Sequence, residues 1–113
     1  MCMDNDMVKN KVLSLIGLAT RSRNVVSGEF ATEKAVKSGK AYLVIVSEDA
    51  SDNTQKKFRN MCEFYKVPYY LFGTMEKNGH SMGKQDRSSL AVTNEGFADS
   101  IQKHLNDLDI RRR

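Results

Sequence analysis

Residues 13–49 read LSLIGLATRSRNVVSGEFATEKAVKSGKAYLVIVSED, and three signals in that stretch set the fold. Together with the residues just before it, the stretch carries Val8, Val12, Leu15, Ile16 and Ala19 at the spacing of a single helix face, which ends at the polar Thr20-Arg-Ser-Arg-Asn24. Val25-Val26 suits a very short strand. Ser27 is then placed as an N-cap and Gly39 as the residue beyond the C-terminus of a helix over about 28–38, with Ala31, Ala35 and Val36 on its buried side. Tyr42-Leu-Val-Ile-Val46 is a continuous, mostly β-branched run, the pattern of a strand covered on both faces.

Working outward, Thr54, Phe58, Met61, Cys62 and Tyr65 repeat the helical spacing until Lys66-Val-Pro68 stops it. Tyr69-Tyr-Leu-Phe72 reads as a second buried strand. The segment from Gly73 to Ser89 is glycine-containing and weakly patterned, and Asn78-Gly79 fits either a short helix or a hairpin turn. Leu90-Ala-Val-Thr93 forms another short strand, and Phe97, Ala98, Ile101, Leu105 and Leu108 give a closing amphipathic helix. Helices alternating with strands predict an α/β protein, a three-layer α/β/α sandwich around a small mixed, mostly parallel central sheet. At 113 residues the chain fits one domain, 1–113, with its core over about 8–105.

The net charge of +4 is a weak guide, because Arg111, Arg112 and Arg113 carry three of the 18 basic residues and leave 15 against 14 acidic ones over 1–110. Clustering says more. Arg21, Arg23, Lys34, Lys37 and Lys40 lie within 20 residues that hold only two acids, Glu29 and Glu33. No apolar run approaches the roughly 18 residues of a membrane span. The acidic N-terminal MCMDNDMVKN is unlike a signal peptide, so a cytoplasmic protein is expected. Cys2 and Cys62 are read as one tail thiol and one core thiol, and no cofactor or metal is expected.

One string has a catalytic look: Gly79-His80-Ser81-Met82-Gly83 matches G-x-S-x-G. That motif needs a strand before it and an activating acid and histidine after it. Met75-Glu-Lys-Asn78 makes no strand, and the only later histidine, His104, falls in the closing helix. Ser47-Glu48-Asp49 sits where α/β folds often bind ligands, and equally where a following helix needs a cap. The expectation is a protein that is not an enzyme.

Gly28-x-x-x-Thr32-x-Lys34-Ala35-x-x-Ser38-Gly39-Lys40-Ala41 running into Leu43-Val-Ile-Val46, then Gly83-Lys84-x-x-Arg87 running into Leu90-Ala-Val92, and the closing Thr93-Asn-Glu-Gly96 together resemble one family. It is the kink-turn-binding ribosomal protein superfamily, of L-seven-Ae and L-thirty-e type, in its bacterial YlxQ-type branch. The resemblance covers about residues 8–105. It implies binding of structured RNA, kink-turn-like and possibly ribosomal, in a ribosomal or RNA-metabolic setting; separately, a monomer is expected.

By the same resemblance, the N-terminus of the second helix enters the RNA groove and the loop before the last strand packs on an extruded base. Gly28 matches the family's turn glycine and Lys34 its helix lysine. At the two positions that read G·A edges, this sequence has Phe30 and Ala31 in place of the usual polar side chains. Phe30 is read as a stacking ring or as core, and Glu29 as a substitute reader or an exposed carboxylate. Thr32 is included on the helix. Arg87, Ser88 and Ser89 fall in the second loop, Lys37 and Lys84 are candidate phosphate contacts, and Arg21 and Arg23 are expected on the same edge. The alternative is a protein-interaction adaptor on this fold whose RNA site has decayed.

Overall fold

The Leu43–Val46 run decides the architecture, because its side chains alternate between two separate cores. Leu43 and Ile45 join Val8, Val12, Ile16, Phe72, Leu90, Val92, Ile101 and Leu105, whereas Val44 and Val46 join Ala35, Val36, Phe58, Cys62 and Ala91. A sheet buried on both faces needs a helical layer on each. The computed structural model describes residues 5–112, with side chains from 5 to 108. Cys2 and the side chains of Arg111, Arg112 and Arg113 lie outside that description.

In chain order the elements are α1 (Asn5–Arg21), β1 (Val25–Ser27), α2 (Glu29–Lys37), β2 (Leu43–Val46), α3 (Asp52–Tyr65), β3 (Tyr69–Leu71), α4 (Met75–Ser81), β4 (Ser89–Val92) and α5 (Glu95–Arg112). Helices α1, α4 and α5 cover one face, α2 and α3 the other. The three-layer α/β/α sandwich is therefore as expected. None of the helices among the described residues is long and apolar enough to cross a membrane.

The sheet order is β1-β4-β2-β3. It is mixed, but not mostly parallel: β2 and β3 run parallel, while β4 runs antiparallel to both β1 and β2. The cause is the connection after β3. Helix α4 is only seven residues long, and the chain beyond it climbs back until the Arg87 N–H donates to the Met75 carbonyl at 3.0 Å. Strand β4 thus starts at the sheet end where β2 and β3 finish, and must run the other way.

Four local expectations change. Ser27 ends β1, and Gly28 is the N-cap of α2, without a side-chain cap bond. Thr32, not Ala31, is buried beneath α2. β3 is an edge strand whose residues are half-buried, and of that run only Phe72 is fully enclosed. Asn78-Gly79 lies inside α4 and makes no hairpin; Thr74 caps the helix by accepting from the Lys77 N–H at 3.1 Å.

Ser47 and Asp49 bond residues of α4, while the Glu48 carbonyl accepts from Gln55 of α3, the helix that Ser51 caps. Asp49 accepts from the Met75 N–H at 2.9 Å and Glu48 from the Gly73 N–H at 3.2 Å. Gly79 and Ser81 occupy the last turn of α4, with the Ser81 hydroxyl donating to the Asn78 carbonyl. No sharp strand-to-helix turn exposes that serine, so the G-x-S-x-G string lacks elbow geometry. Cys62 is a buried free thiol, pushed up to about 11 by desolvation. At neutral pH it stays protonated and poorly nucleophilic.

Candidate nucleic-acid interface

Two loops meet at the sheet end where β1 finishes and β4 begins. Gly28, with φ +93°, donates its N–H to the Ser89 carbonyl at 2.9 Å, and the Arg87 Nε donates to the Ser27 hydroxyl at 3.2 Å. The β1–α2 turn and the 84–89 loop are thereby hydrogen-bonded side by side. Beneath them the buried hydroxyls of Thr32 and Ser89 pair at 3.3 Å. Those two side chains stand inside the protein and pair with each other, so neither is exposed for the direct contact expected of it.

A second buried network holds the Arg87 loop from behind. Asn78 Nδ2 donates to the Phe72 carbonyl at 2.8 Å and to Ser47 Oγ at 2.9 Å, and Ser47 Oγ donates to the Arg87 carbonyl at 2.8 Å. The Ser47 N–H also donates to the Ser88 carbonyl at 2.9 Å. Buried hydrogen-bonded polar groups of this kind specify one loop position, since any other leaves them unpaired. Neither Asn78 nor Ser47 is identifiable as a support in the sequence, because each partner lies far along the chain.

At the surface, α2 begins with uncapped N–H groups, the positive end of its dipole. Phe30, in the first turn, is 82% exposed, which removes the expectation that it is core. Lys34, one turn further on, is exposed and forms no ion pair among the described residues. The acidic residues of α2 are occupied elsewhere. Glu33 pairs with Lys37 at 2.7 Å and with Lys57 of α3 at 2.8 Å, and Lys57 also approaches Glu29 at 3.7 Å. Hydrogen bonds from Lys37 and Lys57 hold the Glu33 carboxyl down to about 2, and both ammonium groups are raised in return.

A family model described as the ribosomal protein L7Ae/L30e/S12e/Gadd45 family matches residues 10–102. The chain belongs to that family. It is 46% identical over 87 residues to the RNA-binding protein YlxQ of Bacillus subtilis, covering 77% of this chain and 87% of that one. An RNA-binding protein YlxQ of Enterococcus faecium is 33% identical over 94 residues, covering 83% and 90%. Among solved structures, a Bacillus halodurans protein of unknown function superposes with TM-score 0.83 at 36% identity, over 85% of this chain and 97% of that one. The Giardia lamblia 15.5kD RNA binding protein superposes with TM-score 0.77 at 19% identity, over 97% and 94%, a likeness of fold.

Of the residues singled out from the family pattern, Gly28 meets Ser89 and Arg87 meets the Ser27 hydroxyl just before it, while Glu29, Phe30 and Lys34 follow Gly28 along α2 and Ser88 follows Arg87. Lys37 lies in the last turn of α2, bonded to Glu33. Lys84 is exposed on the second loop, its N–H donating to the Gly79 carbonyl. Arg21 and Arg23 do not share this edge. Val25 pairs with Val92 and Ser27 with Leu90, so the 21–24 turn feeds β1 at the opposite end of the sheet. The few residues between Arg23 and Gly28 reach opposite ends of the sheet because a strand advances about 3.3 Å per residue in one direction.

Proposed function

We propose that this chain binds structured RNA, with the kink-turn as its preferred form, in a ribosomal or RNA-metabolic role in the cytoplasm. One observation carries the reading: the Gly28 turn is hydrogen-bonded against the Arg87–Ser89 loop, so that two surfaces of complementary chemistry converge. Free helix N–H groups, Lys34 and the Arg87 guanidinium suit phosphate oxygens. The half-buried Arg87 also offers a planar face to an extruded base, and Ser88, next to it in the chain, offers hydrogen-bonding atoms. The relatives described as RNA-binding proteins support the same reading.

The test is a titration against a kink-turn RNA and against the same RNA with its G·A pairs replaced by Watson–Crick pairs. Markedly weaker binding to the second is expected. Equal affinity for both sinks the kink-turn preference, and no binding to either sinks RNA recognition and leaves the adaptor alternative. Lys34→Ala is expected to weaken binding and to lower the salt slope by about one unit, the signature of one lost phosphate contact. An unaltered slope in that variant removes Lys34 from the backbone contacts.

A further inference from the structure

We propose that Phe30 is a stacking platform for an unpaired RNA base, gripped at its phosphate by Lys34; this rests on the RNA-binding reading above. Phe30 is the most exposed large apolar side chain among the described residues. Phe64, nearly as exposed, is covered on one side by an edge contact with Tyr65 at 5.0 Å between centroids, whereas no ring or cation contact engages Phe30 among the described residues. Its ring stands in the first turn of α2, and a phenyl ring reads no hydrogen-bonding edge. What it offers is a flat π face.

The surroundings fit a nucleotide. Phe30, Glu33, Lys34, Lys37 and Ser38 line an open groove of about 380 Å³ along α2. Its carboxylate is already neutralised, because Glu33 is held between Lys37 and Lys57, and the neighbouring Glu29 leans toward Lys57 as well. Lys34 is left as a cation without an acidic partner, one helical turn from the ring and on the same face. An aromatic surface beside an uncompensated cation complements a base carried by its phosphate better than a purely apolar ligand. Because Ala31 follows Phe30, the two positions supply no edge reader between them. Recognition there is by the presence of a free base, with weak choice of which base.

The test combines protein and RNA changes in a cycle. Phe30→Ala is expected to cost a factor of about 5 to 150 in affinity for a kink-turn RNA, the range for one lost base stack, with the salt slope unchanged. Phe30→Trp is expected to keep most of the affinity. Replacing the responsible unpaired nucleotide by an abasic one is expected to weaken the native protein by a similar factor and Phe30→Ala no further. Since the side chain is exposed, the thermal midpoint of Phe30→Ala should match that of the native chain. Unchanged RNA affinity in Phe30→Ala, alongside a loss in Lys34→Ala, overturns the platform and leaves RNA binding standing. Failure of the native protein to bind the RNA at all overturns both.

Discussion

Replacing Gly79 by alanine is expected to destabilise the fold by about 2–3 kcal/mol, although alanine is the better helix former by about 1 kcal/mol. The sign is set by packing. A Cβ at position 79 would stand 2.0 Å from the Gln85 carbonyl oxygen and 2.7 Å from its carbonyl carbon, and both atoms are backbone. To make room the 85–86 segment must shift, yet it is fixed on either side by the Lys84 N–H to the Gly79 carbonyl and the Arg87 N–H to the Met75 carbonyl. Arg87 moves with it, and RNA affinity should fall beyond what the unfolded fraction explains. Urea unfolding checks the first part, and titration well below the thermal midpoint the second. An unchanged or raised urea midpoint would show that the loop yields freely, and the packing argument would fail.

Gly28→Ala has the next largest expected effect, with a different cause. Nothing lies within 4 Å of a Cβ added there, so sterics against neighbours are absent. The strain is in the backbone: φ +93° with ψ 157° is a region that only glycine occupies readily, and another residue costs about 1–3 kcal/mol there. The turn can relieve it by rotating φ negative, which would break the Gly28 N–H to Ser89 carbonyl bond and part the two loops. Lower stability and weaker RNA binding should therefore appear together. A semisynthetic protein with D-alanine at 28, which favours positive φ, is expected to regain stability. If L- and D-alanine prove equally stable, the backbone conformation is not the cause.

The two variants also mark how far the sequence could be read. Gly28 stood out in one dimension because it matches the family's turn glycine, although Ser27 is the cap expected from sequence and only the structure places Gly28 before the helix. Gly79 was legible only as part of a misleading catalytic string or as an Asn-Gly turn signal, because the atoms that require it belong to Gln85 and Asp86 and meet it only in the folded chain. Phe30 was ambiguous for a related reason: an aromatic residue in the first turn of a helix faces core or solvent according to the helix's rotation, and only burial settled it.

By itself the sequence determined the alternation of helices and strands and the doubly covered strand at Leu43–Val46. These depend on local periodicity and on residue conformational preference, which a chain carries wherever it goes. Tertiary structure decided strand direction, since an apolar run is the same in parallel and antiparallel pairing, and the existence of α4, whose Asn78 is anchored to a serine 31 residues away. It also decided which basic residues share a surface. Arg87, 60 residues from Ser27, is hydrogen-bonded to it beside the Gly28 turn, while Arg23, only five residues before Gly28, is carried to the other end of the sheet. Proximity of that kind is set by strand pairing, a long-range property with no local signal.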